Sequence, residues 1–398
     1  MSRRVALIAA HRFGLGPRPG EVDHIAGDPR GWLLEQLDAP YQVPAAMADL
    51  PPVSENVLDW WDAVLISVAE LVRRIGTDYR DLWLREVRAR LVVGVTTEQP
   101  FRERLVWFWG NHFTVSRLKS VAMGMAGGHE REAVRPHVTG RFVDLLHSAV
   151  SHPGMLFYLD NYSSVGPRSH RGAVSYYNRD LNENLGREIL ELHTLGVHGG
   201  YSQADVREFA KMLTGWTFGR TYDANPGGFH FAQKSHEPGP KQLLGRTYED
   251  TGEGEGRAAL DWLAKQDATA RHMALKFARH FIADEPSPNA VATLAHTFRE
   301  TEGDLGEMAR TLIRLPEAWQ PQPGKFKTPQ EFVVGALRRA RFAAAMARQF
   351  HGSVDPAAIA KGTVAGLVGP EAMAMFQDAG DREQALALLL ASPAMQRR

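Results

Sequence analysis

Residues 182–196, NENLGREILELHTLG, constrain this chain more than any other stretch, because they are spaced as a helix yet carry apolar residues on several sides. At about 100° per residue, Asn184, Glu188 and Glu191 fall within roughly 60° of one another, with Arg187 alongside, and make one polar stripe. Leu185, Ile189 and Leu192 cluster on one flank, Leu190 lies on the other, and Leu195 returns to the acidic side. A surface helix would gather its apolar residues opposite the polar ones. The pattern therefore predicts an enclosed helix, and enclosed carboxylates need partners or a chemical task. Two readings stay open. In one, Glu188 and Glu191 serve as general acid and base or as metal ligands, while Asn184 and Arg187 orient them or a substrate. In the other, the acids pair with Arg187 and with bases elsewhere, and the helix is a buried ionic strut.

With 398 residues the chain can bury a large core. Lys plus Arg equals Asp plus Glu at 46 each, so no global field recruits nucleic acid or an anionic membrane. The absence of cysteine excludes disulfides, thiolate metal sites, iron–sulfur clusters and a cysteine nucleophile; any metal must be held by His, Asp or Glu. No apolar stretch has the length of a membrane span. The apolar run in residues 1–12 is too short for a signal peptide and ends in His11-Arg12, so residues 1–10 are expected to open a helix in a cytoplasmic protein.

Helical spacing is found over 59–94, 100–113, 141–151, 182–195, 203–213, 257–265, 269–282, 290–301, 305–314 and 329–349. Thr328-Pro329-Gln330-Glu331 is a capping box with proline at the first helical position, Ser202 is placed to cap the helix after it, and Gly196 to stop the acidic helix. Residues 228–233 alternate as a strand, and 241–248 are expected to return as its hairpin partner around Glu237-Pro238-Gly239-Pro240. With no repeat and no linker, the expected architecture is one large, mainly α-helical domain over residues 1–398 with a small antiparallel β-hairpin. The loop 161–180 leads straight into the acidic helix. It is either a lid, less ordered than its surroundings and bordering the site, or a surface connection.

His112 shares a helix face with Leu105, Phe108 and Trp109, which predicts burial; it is either a core histidine or, as a neutral imidazole, a base or metal ligand. His193 should point away from the two glutamates, at about 180° from Asn184. His236 is expected in a solvated turn, His272 on a basic surface with Lys276 and Arg279, and His280 packed near Met273 and Phe277. Arg338, Arg339 and Arg341 form a basic patch, read as a solvated face or an acidic contact within the protein. The aromatic cluster Trp107, Phe108, Trp109 and Trp216 is core or a partner surface. There is no P-loop, nucleophile elbow or His-Glu-x-x-His helix, and Gly14-Leu15-Gly16 follows no strand.

The strings His11-Arg12-Phe13-Gly14-Leu15-Gly16, Phe108-Trp109-Gly110-Asn111-His112-Phe113, Leu159-Asp160-Asn161, residues 182–200, Leu213-Thr214-Gly215-Trp216, residues 236–245 and Lys327-Thr328-Pro329-Gln330-Glu331-Phe332 together resemble the bacterial family called domain of unknown function 1800. The likeness runs in order over nearly the whole chain. It implies a large, mainly helical bacterial protein and no particular reaction; many relatives carry export signals, which this chain lacks in clear form, and lie beside genes of a sulfatase-like family. His193-Thr194-Leu195-Gly196 is also similar to the proximal-histidine string of plant-type haem peroxidases. Arg104 and His112, eight apart, do not match the distal spacing of those enzymes, so a haem-binding redox protein is a minor alternative.

The expected site thus comprises Glu188, Glu191 and Asn184 with Arg187 alongside, His112 from another helix, and Asp160 as a weaker addition. Hydrolysis is the expected reaction, with one glutamate polarising water or binding a divalent metal together with His112 and the other moving the proton. The alternative is a non-enzymatic binding or accessory protein that partners a sulfatase-like protein.

Overall fold

Short polar side chains and prolines set the helix starts. In the computed structural model, which describes residues 3–174, 181–321 and 325–349, with side chains of the last helix described to Arg339, Asp28, Ser202, Ser287 and Asp304 each accept a hydrogen bond from a backbone amide of the first turn. Ser202 does so in a full capping box with Asp205. Thr328 and Glu331 exchange the same pair of bonds at 2.9 and 3.3 Å, starting Pro329–Gln349 where expected.

The molecule is mainly α-helical with two small antiparallel strand pairs. Helices Pro100–His112, Phe142–Ser151, Gln203–Met212, Glu253–Ala264, Asp267–Phe281, Pro288–Glu300 and Leu305–Arg314 follow the spacing of the sequence. The expected 59–94 helix is broken. Val53–Ile66 ends at Ser67, whose extended backbone lets its hydroxyl cap Val68–Arg74, and a π-turn at Ile75–Tyr79 leads into Arg80–Thr96. Around the break Leu65, Ile66, Val68 and Val72 form an exposed apolar strip.

The β pairing also differs from expectation. β1 (Trp216–Phe218) takes β2 (Phe229–Phe231) as its partner, while β3 (Lys241–Leu243) and β4 (Arg246–Tyr248) make their own hairpin. Leu244 and Gly245 both have positive φ, 50° and 77°, the backbone of a tight two-residue turn. That turn brings β4 onto β3 and leaves β2 to the strand upstream.

One apolar cluster extends from Ala6 to Val334 and contains Trp107, Phe108, Trp109 and Trp216, so the aromatic cluster is core. Each such ring contributes on the order of 1.5–3 kcal/mol of burial. The basic patch is buried too. Arg338 donates to the carbonyls of Gly16, Gly94, Val95 and Thr97 at 2.9–3.3 Å and lies 3.6 Å from Glu21; Arg339 is equally enclosed, and the side chain of Arg341 lies outside the described residues. Instead of facing water, the Arg338 fork satisfies the open carbonyl end of helix Arg80–Thr96. Arg104, also buried, pairs with Glu331 at 2.7 Å and donates to Gly14 O at 2.8 Å. The N-terminal segment and the last helix are thereby tied together. Among the described residues no helix is long and apolar enough to cross a membrane.

Candidate functional site

The Asn182 side chain starts the acidic helix by accepting from the Asn184 amide at 2.8 Å, and its Nδ2 donates to Leu159 O at 3.1 Å. One amide therefore both satisfies the first helical N–H and fixes the helix start to the segment that ends at Asp160. Asn184–Glu188 is α-helical; Ile189–His193 is a π-turn. The wider turn departs from the i→i−4 ladder and leaves carbonyls in need of donors, and such turns are frequent at functional sites. Thr194 Oγ1 donates to Ile189 O at 2.6 Å, the Gly196 amide to Leu190 O at 3.1 Å, His272 Nε2 to Leu192 O at 3.3 Å and His112 Nε2 to His193 O at 3.1 Å. Two imidazoles thus close the end of this helix.

Enclosure is one-sided. Leu185, Ile189, Leu190, His193 and Leu195 are buried, whereas Glu188, Glu191 and Arg187 are half-buried and Asn184 and Leu192 face solvent. Among the described residues neither Glu188 nor Glu191 enters an ion pair. Arg187 is held elsewhere, by Glu183 at 2.9 Å and Gln203 at 2.9 Å, and Glu183 also receives Arg207 at 3.5 Å. Glu183 stands four residues before Arg187, a helical pairing signal in plain view in the sequence. Burial, and then the negative charge of Glu191, push the Glu188 carboxyl above the ordinary range, with Arg187 opposing. Burial, followed by the negative charge of Glu191, raises the Tyr201 pKa, with Arg187 opposing. The face thus sets a carboxyl of raised pKa beside a second carboxyl and a phenol.

His112 is buried, as its face predicts, and it works behind the helix. Its Nε2 faces a carbonyl, which only accepts, and its Nδ1 faces the Lys276 ammonium at 2.7 Å, which only donates. The ring is therefore neutral with the proton on Nε2, in keeping with a pKa driven well below the ordinary value by burial and then by Lys276 and His193. Both nitrogens are engaged, and neither acid is among its hydrogen-bond partners. Burial depresses Lys276 to about 8. The His193 ring packs 4.9 Å from Phe113 and 5.7 Å from His112, away from the acidic stripe. His272 caps the π-turn and so is not an ordinary surface residue.

Asp160, at a left-handed φ of 58°, pairs with Lys119 at 2.5 Å and does not join the acids. The described part of the loop is anchored: Asn161 donates to Leu213 O and Trp216 O at 3.0 Å, Gly166 to Ser235 O at 2.9 Å, and Arg168 pairs with Glu237 at 2.6 Å. Residues 175–180, on which the lid expectation also rests, lie outside the described residues. His236 is buried and not solvated, because the chain after β2 folds back under Thr214. Among the described residues the histidine and carboxylates whose ligating atoms gather closely are His236, Asp250 and Glu255, not His112, Glu188 and Glu191.

Clefts occur elsewhere. One of about 700 Å³ is lined by Arg18, Glu21, His24, Trp32 and Glu98. A smaller one of about 200 Å³ holds Glu86, Arg90 and Glu130, and burial there raises Glu86 to about 7 against its partner Arg131. Nothing in the helical spacing around Glu86 marks it, since the charges that act on it, Arg131, Glu132, Glu130 and Arg135, all come from a distant stretch of the chain.

A family model described as "Protein of unknown function (DUF1800)" matches residues 8–367. No curated protein and no solved structure matches the chain.

Proposed function

The chain belongs to the DUF1800 family, whose description names no reaction, and from that premise we propose that it is a hydrolase working by general acid and base at Glu188 and Glu191. The observation that carries this reading is that two neighbouring, half-buried carboxylates lack an ion-pair partner among the described residues, while the nearby Arg187 is spent on Glu183. A strut would pair them. Glu188, whose pKa is raised by burial and then by Glu191, serves as the acid that protonates the leaving group, and Glu191 beside it takes a proton from water. Asn184 and Arg187 stand at the rim, where they contact polar groups of the substrate. His112 acts as a positioning residue by holding the π-turn from behind.

The full-length protein is to be assayed on chromogenic ester, phosphoester and glycoside substrates from acid to neutral pH. Turnover is expected to fall about 10²–10⁴-fold in Glu188→Gln and Glu191→Gln with the melting temperature preserved. No turnover on any class, or turnover unchanged in both variants, overturns it.

The exposed strip of Leu65, Ile66, Val68 and Val72 favours a second reading, an accessory protein that binds a sulfatase-like partner through that surface. A purified sulfatase-like protein that binds the wild type but not Leu65→Lys, with no turnover detected, would establish it. A cytoplasmic location is part of the first reading.

A further inference from the structure

Three ligating side chains converge where β3 and the segment after β2 meet the start of helix Glu253–Ala264. His236 and Glu255 are 3% and 1% exposed, Asp250 is at the surface, and one ligating atom from each lies within 4.8 Å of the others. The imidazole is oriented. Its Nδ1–H donates to Thr214 O at 2.9 Å, which turns Nε2 toward both Glu255 Oε1 at 3.1 Å and the Lys241 ammonium at 3.2 Å. A ring whose far nitrogen is fixed on a backbone carbonyl is the arrangement found in metal-binding histidines. Asp250 is also held, by the Gly239 amide at 2.7 Å. Glu255 Oε2 is buried and accepts no hydrogen bond, a costly omission for a carboxylate oxygen.

The group already contains one cation. Lys241 Nζ lies 2.6 Å from Glu255 Oε1, 3.2 Å from His236 Nε2 and 2.5 Å from Glu237 O. An ammonium surrounded by a carboxylate, an imidazole nitrogen and a carbonyl sits where a small metal ion would sit. Its single charge balances Glu255 and leaves Asp250 and the second Glu255 oxygen over. A divalent ion would neutralise both carboxylates.

We propose that His236, Asp250 and Glu255 form a site for a divalent transition metal, in which the Lys241 ammonium is an exchangeable resident cation. One imidazole and two carboxylates suit zinc, manganese or ferrous iron, with entry from the exposed Asp250 side. The ligating atoms need only contract toward an ion at about 2.0–2.2 Å. The ligand set shares no residue with Glu188 and Glu191 and does not depend on their role.

The test is a calorimetric titration of full-length, tag-free protein with zinc, with metal content measured after desalting. Stoichiometric zinc is expected, together with a zinc-induced rise in melting temperature. Asp250→Asn, at the exposed edge, should lose at least about 10-fold in affinity without losing its fold. Lys241→Met should bind more tightly than the wild type, because the competing charge is gone. Zinc bound equally by Asp250→Asn and the wild type would mean adventitious binding and overturn the site. Zinc bound by Lys241→Met alone would make the lysine a permanent occupant, and zinc bound by neither would remove the ligand set; both results also overturn it.

Discussion

At Glu188 the cost of ionisation decides what a substitution does. Burial and the charge of Glu191 raise its pKa, so the folded chain holds the proton more tightly than the unfolded chain. A raised carboxyl contributes stability that is complete below the ordinary carboxyl pKa and lost as pH climbs through the raised value. Glutamine cannot ionise. Glu188→Gln should therefore equal the wild type in acid and match or exceed it at neutral pH, by about 0.5 kcal/mol for a half-exposed side chain. Urea unfolding at the two pH values checks this; a loss of several kcal/mol at neutral pH would return the glutamate to the strut. The nearness of Glu188 to Glu191 can be read from spacing alone, as can the burial of His112 beside Leu105, Phe108 and Trp109. The ring's proton position cannot, since it is set by Lys276, 164 residues away. Nor can the open side of the helix, because apolar residues on several faces establish contact with the core without saying where the core stops.

Among elements, those whose ends carry their own caps agree with the sequence, as at Thr328, Ser202 and Ser287. Disagreement appears where a short local signal interrupts a longer pattern or where a distant contact decides. Ser67 begins a new helix inside an unbroken periodic pattern, and β2 pairs upstream because Leu244-Gly245 already turns β3 onto β4. The π-turn at Ile189–His193 is another such case, since its released carbonyls depend on His112 and His272 from two other helices. Lys276, which secures His112 in that assembly, gives a pH-dependent test. Its folded pKa is lowered to about 8, so its contribution to stability is present above the ordinary lysine pKa and lost as pH falls through about 8. Relative to Lys276→Met, the wild type should gain stability as pH rises from about 8 toward about 10.4, by at most about 3 kcal/mol. Paired denaturant unfolding curves across that window measure it. A difference that does not change with pH would mean that the ammonium is not desolvated.

Across the whole molecule, Arg338 joins three parts of the chain that are far apart in sequence: Gly16, the end of helix Arg80–Thr96, and the last helix. Arg338→Met strands several carbonyls and should cost about 3–5 kcal/mol. Arg338→Lys should recover little, because a point charge cannot serve Gly16 and Thr97 together as a planar fork does. Thermal melts rank the two variants, and hydrogen exchange should rise jointly around residues 14–16 and 94–97. Exchange confined to one of them would show that the arginine is not a joint. The break at Ser67 has a consequence of another kind. It leaves Leu65, Ile66, Val68 and Val72 uncovered on a chain whose opposite charges cancel, with an isoelectric point near 7.3. At neutral pH no mutual repulsion keeps two such strips apart, so colloidal behaviour follows the buffer: contact between molecules is favoured near pH 7.3 and weakened on either side, where each copy acquires a common charge.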